Sequence, residues 1–158
     1  MFTDDLRDLI LTRYGLVFPL DLQNQKSLQI LNEFLGDSRN ASLGDSLVNF
    51  VFSCCKSLSL NSLTSLKVPD SVMISAYKGS KLSEVLSLRG EKKRVGNSLE
   101  ALFLLVWAFN LLSLDDIIRG LGEGITSVGD RYKVQHGRQS EINAFTRIFD
   151  IFASVIFN

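Results

Sequence analysis

Proline, cysteine and histidine are scarce in this 158-residue chain, at two, two and one copies. With only Pro19 and Pro69 present, long stretches are free of helix breakers, and most glycines fall between apolar-periodic segments, the punctuation of a helical protein. Cys54 and Cys55 are adjacent within an apolar run. They cannot staple distant elements, so a disulfide framework is excluded, and they read as small buried hydrophobes in a reducing compartment. The single histidine, His136, lies in the loop-like run Gln135-His136-Gly137-Arg138 with no second histidine and no Ser or Cys elbow nearby. It reads as an exposed polar residue rather than part of a zinc site or a catalytic triad.

Excess charge is also lacking. Seventeen basic residues balance 17 acidic ones, so the chain as a whole does not attract nucleic acid and any basic surface must be local. No hydrophobic run is long enough for a membrane. The most apolar segment, Leu99 to Leu114, is interrupted by Glu100 and Asn110 and falls short of the roughly 20 residues a span requires. The first residues, Met1-Phe2-Thr3-Asp4-Asp5-Leu6, carry no basic region followed by an apolar stretch, so no secretory leader is expected and the cytoplasm is the expected location.

What the chain does have is apolar content, 46% of residues with a mean hydropathy of +0.16. That is ample for one domain over residues 1–158, and it leaves apolar surface for a second copy to cover. The periodicity is all-α. A first helix is expected from Asp4 to Tyr14 between Thr3 and Gly15, a second from Leu22 to Leu35 stopped by Gly36, and a third from Asn40 to Leu58. A loop rich in Ser, Leu and Asn leads to Pro69 and a fourth helix bent or broken at Gly79, followed by a helical piece over Lys81 to Leu88. After the charged connector Gly90-Glu91-Lys92-Lys93-Arg94, a helix from Val95 to Leu111 is apolar on almost every side and must be surrounded by others. Ser113 caps a short helix over Leu114 to Leu121, Gly122 to Gly137 resists assignment, and an amphipathic helix runs from Ser140 to Phe157. Trp107 and the phenylalanines fall at helical spacing and read as core or dimer contacts.

Two acids interrupt this apolar pattern. Asp45 lies in Ser42-Leu43-Gly44-Asp45-Ser46-Leu47-Val48-Asn49-Phe50, and Glu100 lies in Asn97-Ser98-Leu99-Glu100-Ala101-Leu102-Phe103. An unpaired buried carboxylate costs on the order of several kcal/mol, so two of them suggest a shared divalent metal. Asn97 and Glu100 stack about one turn apart on one helix face and could converge on an ion with Asp45. A plainer assignment stays open: Asp45 as a solvated first-turn acid favoured by the helix dipole, and Glu100 paired with Lys81, Lys93 or Arg94.

The run Leu43-Gly44-Asp45-Ser46-Leu47-Val48-Asn49-Phe50 resembles the signature helix of the ribonuclease III catalytic domain, and Asn97-x-x-Glu100-Ala101-Leu102 resembles its downstream Asp-x-x-Glu-Ala helix, in the same order and separation. Together with Val106-Trp107-Ala108, these residues are similar to a small archaeal ribonuclease III-like group; the resemblance covers about Asn40 to Leu121. It implies an all-helical endonuclease domain that pairs as a homodimer and hydrolyses double-stranded or structured RNA with Mg²⁺ or Mn²⁺. Asp45 and Glu100 match essential metal ligands of the family. Two positions depart from it: the glutamate four residues before the signature aspartate falls on Ala41, and the first acid of Asp-x-x-Glu falls on Asn97, a neutral oxygen donor. These departures leave a second function open, a catalytically weakened dimer of the same fold that binds RNA or a ribonucleoprotein. A helical interaction protein unrelated to nucleases is a third.

Glu33-Phe34-Leu35-Gly36-Asp37 matches the bacterial signature literally, but Ser38-Arg39-Asn40 follows Asp37 as a helix stop, whereas apolar helix follows Asp45. Asp45 is therefore preferred, with Glu33 or Asp37 near enough to lend charge. Phosphate contacts are expected from Lys78, Lys81, Lys92, Lys93 and Arg94, or from the basic stretch Arg131 to Arg147. These stretches also suit ordinary solvated connectors. With no separate double-stranded-RNA-binding domain expected, RNA would be held on the dimer surface alone.

Overall fold

In a computed structural model of the chain, which describes residues 2–125 and 136–157, helices run from Phe2–Tyr14 (α1), Gln25–Gly36 (α2), Ser38–Leu60 (α3), Asp70–Lys78 (α4), Leu82–Val85 (α5), Lys92–Ala108 (α6), Leu114–Gly122 (α7) and His136–Ile156 (α8). The fold is all-α. Among the described residues there is no strand, only an isolated bridge between Leu20 and Phe157, and no helix is long and apolar enough to cross a membrane.

The boundaries follow local chemistry. Gly15, with φ +60°, ends α1 in the left-handed region that favours glycine. The Asn24 side chain accepts from the Ser27 N–H and starts α2 three residues later than the periodicity suggests, because Asp21 to Asn24 form a turn. Asp37 ends α2 and starts α3, accepting from the Arg39 N–H at 2.9 Å, so what reads as a helix stop is a cap between two helices. Ser113 and Asp116 form the reciprocal capping box of α7. Of the hard-to-assign stretch 122–137, residues 126–135 lie outside the described residues. His136 opens α8 rather than sitting in a loop.

Helix α6 is the axis of the molecule, with every residue from Ser98 to Val106 buried. Its Phe103 meets Phe145, Phe149 and Phe152 of α8 at centroid separations of 6.1, 6.0 and 4.9 Å, edge to face. Each ring buried in this way contributes roughly 1.5–3 kcal/mol through removal from water. Helix α3 crosses α6 at Gly44. A Cβ on Gly44 would stand 2.0 Å from the carbonyl oxygen of Glu100 and 2.4 Å from its carbonyl carbon, so only glycine permits the crossing. Asn40 secures the start of α3, its Nδ2 donating to the Phe34 carbonyl at 3.0 Å and to the Tyr14 hydroxyl at 2.9 Å.

The segment between α3 and α4 is held along α3 by a ladder of polar side chains four residues apart. Asn49 accepts from the Val68 N–H, Ser53 from the Leu66 N–H and Ser57 from the Thr64 N–H, at 2.8, 3.0 and 2.9 Å. Alternate N–H groups of a Ser- and Leu-rich loop are thereby satisfied without a strand.

Because the obstruction at Gly44 is backbone rather than a movable side chain, Gly44→Ala is expected to destabilise the fold by about 2–3 kcal/mol, near the upper end of overpacking costs. Gly36→Ala, where a Cβ meets nothing within 4 Å, is expected to be near neutral. Urea denaturation of the two variants beside the parent checks this, and equal stability of Gly44→Ala and the parent would contradict the crossing.

Candidate active site

The Gly44 crossing has a direct chemical result: it sets the next residue of α3, Asp45, beside Glu100 of α6. Both line an open cleft of about 830 Å³ together with Ala41, Asn97, Asp70 and the lysines Lys67, Lys78, Lys92 and Lys93. Asp45 stands about two turns into α3 rather than in its first turn, because that helix starts at Ser38. Asn97 and Glu100 are on the same face of α6, as their spacing requires.

Asp45 is fixed from two sides. Asn49 Nδ2 donates to its Oδ1 at 2.8 Å, and Lys67 Nζ approaches its Oδ2 at 3.9 Å. Asn49 thus uses its amide to hold Asp45 and its carbonyl oxygen to hold the Val68 N–H, coupling the acid to the segment that carries Lys67. The i,i+4 relation of Asp45 and Asn49 was available in the sequence as a signal of this positioning role.

Glu100 is only 7% exposed and, among the described residues, its carboxylate accepts no hydrogen bond from a nitrogen donor and forms no ion pair with Lys81, Lys93 or Arg94. Burial first, then repulsion by Asp45, a proton shared with Asp45 and repulsion by Asp70 push its pKa from the ordinary 4.5 up to about 7, with Lys67 partly offsetting them. A buried acid with acids for neighbours and one face on an open cleft is relieved either by a proton or by an external cation.

Lys78 of α4 and Lys92 and Lys93 of α6 line the cleft, as does Lys67, which sequence reading missed. Lys81 and Arg94 do not line it: the Lys81 N–H donates to Asp150, and the Arg94 side chain packs over Gly90. The charged run at Glu91 to Arg94 is not a connector, since α6 begins at Lys92 and carries Lys92 and Lys93 to the cleft. Of the second basic stretch, Arg131 and Lys133 lie outside the described residues, Arg138 donates to Ser71 at the cleft edge, and Arg147 pairs with Glu123. Glu33 and Asp37 do not line the cleft. Arg39 pairs with Asp37 at 2.7 Å and, with further bonds from its own N–H and from Tyr14, holds that carboxyl well below the usual range.

Among the described residues, no three His, Cys, Asp or Glu side chains group tightly enough to close around an ion by themselves. The donor set of Asp45, Glu100 and the Asn97 amide nonetheless suits Mg²⁺ or Mn²⁺. Hard cations take oxygen ligands, and Mg²⁺ keeps much of its water shell while using one or two carboxylates.

The raised pKa of Glu100 makes stability depend on pH. Its folded pKa of about 7 lies above the ordinary 4.5, so between these values the folded state binds more protons than the unfolded one and stability falls as pH rises. In protein freed of divalent cations, Glu100→Gln is expected to remove most of this fall. Thermal unfolding of both proteins at pH 5 and pH 7.5, near the ends of that window, checks it; parallel pH dependences would contradict the assignment.

Comparison with known proteins bears on what this cleft is. No curated protein sequence matches the chain. A family model described as Ribonuclease III matches residues 39–154, a span that begins in the first turn of α3, ends in α8 and contains Asp45, Asp70, Asn97 and Glu100. With the all-α fold and the order of the two acid-bearing helices, this match over well over half of the chain means that it belongs to the ribonuclease III family.

Proposed function

We propose that the protein is an endoribonuclease dependent on Mg²⁺ or Mn²⁺ that hydrolyses phosphodiester bonds in double-stranded or structured RNA. The observation that carries this reading is the meeting of Asp45, Asn97 and Glu100 in one lysine-rimmed cleft of a ribonuclease III family chain. Asp45, Asn97 and Glu100 would hold the ion, which when bound supplies Lewis-acid stabilisation of the charge on the reacting phosphate and activates water.

The chain's own residues account for the rest. Asn49 and Lys67 fix the Asp45 carboxylate, and burial keeps Glu100 in surroundings where its charge acts strongly on whatever enters the cleft. Lys67, Lys78, Lys92 and Lys93 offset the repulsion between an acidic centre and an anionic backbone, and Lys81 and Arg94 would meet phosphates beyond the cleft. Such contacts read the shape of a duplex rather than its bases.

A homodimer is supported by an apolar patch on which Phe50 is 55% and Leu43 is 44% exposed, beside Leu6, Leu47, Leu104 and Trp107. A sedimentation run that finds only monomer at micromolar concentration would remove this element. The free thiols of Cys54 and Cys55 suit a cytoplasmic setting.

The second reading, an RNA- or ribonucleoprotein-binding module that has lost turnover, is favoured by Ala41 and Asn97, whose neutral side chains line the cleft where the family pattern has acids. Cleavage of a duplex RNA in Mg²⁺ or Mn²⁺ decides between them. Asp45→Ala and Glu100→Ala are expected to lower the rate by roughly 10²–10³ or more while circular dichroism stays unchanged. Asn97→Asp is expected to raise it. Retention of RNA with no cleavage by either the parent or Asn97→Asp would favour the binding module.

A further inference from the structure

The cleft holds a third acid that lies outside both family motifs. Asp70 is the first residue of α4, directly after Pro69, and lines the same cleft as Asp45 and Glu100. Its carboxyl carbon lies 3.3 Å from where a Cβ on Gly96 would be, so the bare backbone of α6 at Gly96 lets it approach beside Asn97. Among the described residues, Asp70 makes no ion pair and its side chain no hydrogen bond, although Lys78, Lys92 and Lys93 line the same cleft. Service to the dipole of α4 would explain an acid at that helix start, but not its seat against α6.

Glu100 points to a cation independently: it is more than nine-tenths buried, lines this cleft and, among the described residues, has no nitrogen donor or ion pair, its only side-chain partner being another acid, Asp45. Ala41 and Asn97 leave Asp45 and Glu100 as the only acids from the family motifs to answer that need. We propose that Asp70 supplies the missing negative charge: it completes the divalent-cation site from the α4 wall, acting on the water shell that such an ion retains. This assignment rests on the metal-dependent reading above. It accords with the spread of the acids, since a hydrated Mg²⁺ needs no closed cage of three carboxylates. Groups that hold an ion's water or orient its direct ligands typically change affinity by about 10–100-fold when removed.

The test is Mn²⁺ binding to the full chain, followed through the electron paramagnetic resonance signal of free Mn²⁺, for the parent, Asp70→Asn, Asp45→Asn and the double variant Asp70→Asn with Asn97→Asp. Asp70→Asn is expected to weaken binding by about tenfold or more. Asp45→Asn should weaken it at least as much, and Asn97→Asp, which returns a charge nearby, should recover most of the loss. If Asp70→Asn only lowers the melting temperature and binds Mn²⁺ like the parent while Asp45→Asn does not, Asp70 serves its helix alone and the proposal is overturned. If the parent binds no Mn²⁺, or Asp45→Asn binds as well as the parent, the metal-dependent reading falls together with it.

Discussion

The contact on which the rest depends is the crossing of α3 and α6 at Gly44. Backbone against backbone, with a Cβ position only 2.0 Å from the Glu100 carbonyl oxygen, it brings two helices closer than any side chain would permit. The residue after the glycine and the residue that offers the carbonyl are both acids. One steric requirement therefore serves packing and chemistry together: the crossing that closes the core also brings two carboxylates side by side at the edge of it.

Such an arrangement is unfavourable in the absence of a cation, and the surrounding structure is organised to tolerate it. The mainly apolar interior around α6, including the Phe103 cluster with α8, provides the burial that can carry a destabilised Glu100. Asn49 and Lys67 act on Asp45, whereas Glu100 has no comparable donor among the described residues and its pKa is pushed up to about 7 by burial and by Asp45. Of the lysines on the cleft wall, Lys67 leans on Asp45, while among the described residues Lys78, Lys92 and Lys93 make no ion pair, which leaves them able to receive phosphate. Acids within and cations around is the charge pattern that a metal ion and an RNA backbone together would neutralise.

Much of this was legible in the sequence because helices announce themselves through period and punctuation. Asn97 and Glu100 on one face of α6, and Asp45 on a separate helix, follow from spacing alone. Where the reading slipped, longer-range contacts decided. Leu86 and Leu88 leave the helical pattern because the Tyr77 hydroxyl binds the carbonyl of the first and the N–H of the second, which shortens the expected helix at Lys81 to Leu88 to the single turn of α5. The run Glu91 to Arg94 looks like a connector because it is charged, yet charged residues are at home on the solvent side of a first helical turn. Lys67 and Asp70 could not have been found from local pattern, since each reaches the cleft through tertiary approach: one along the Asn49, Ser53 and Ser57 ladder, the other through the gap left by Gly96.

We propose that the cleft between α3, α4 and α6 is built around a divalent cation. A crystal soaked in Mn²⁺ and measured near the manganese absorption edge tests it most directly. An anomalous peak is expected between Asp45 and Glu100, within reach of Asn97 and on the side of the cleft that faces Asp70. A well-ordered cleft with no such peak at millimolar Mn²⁺, or a peak only at acids elsewhere on the surface, would contradict it.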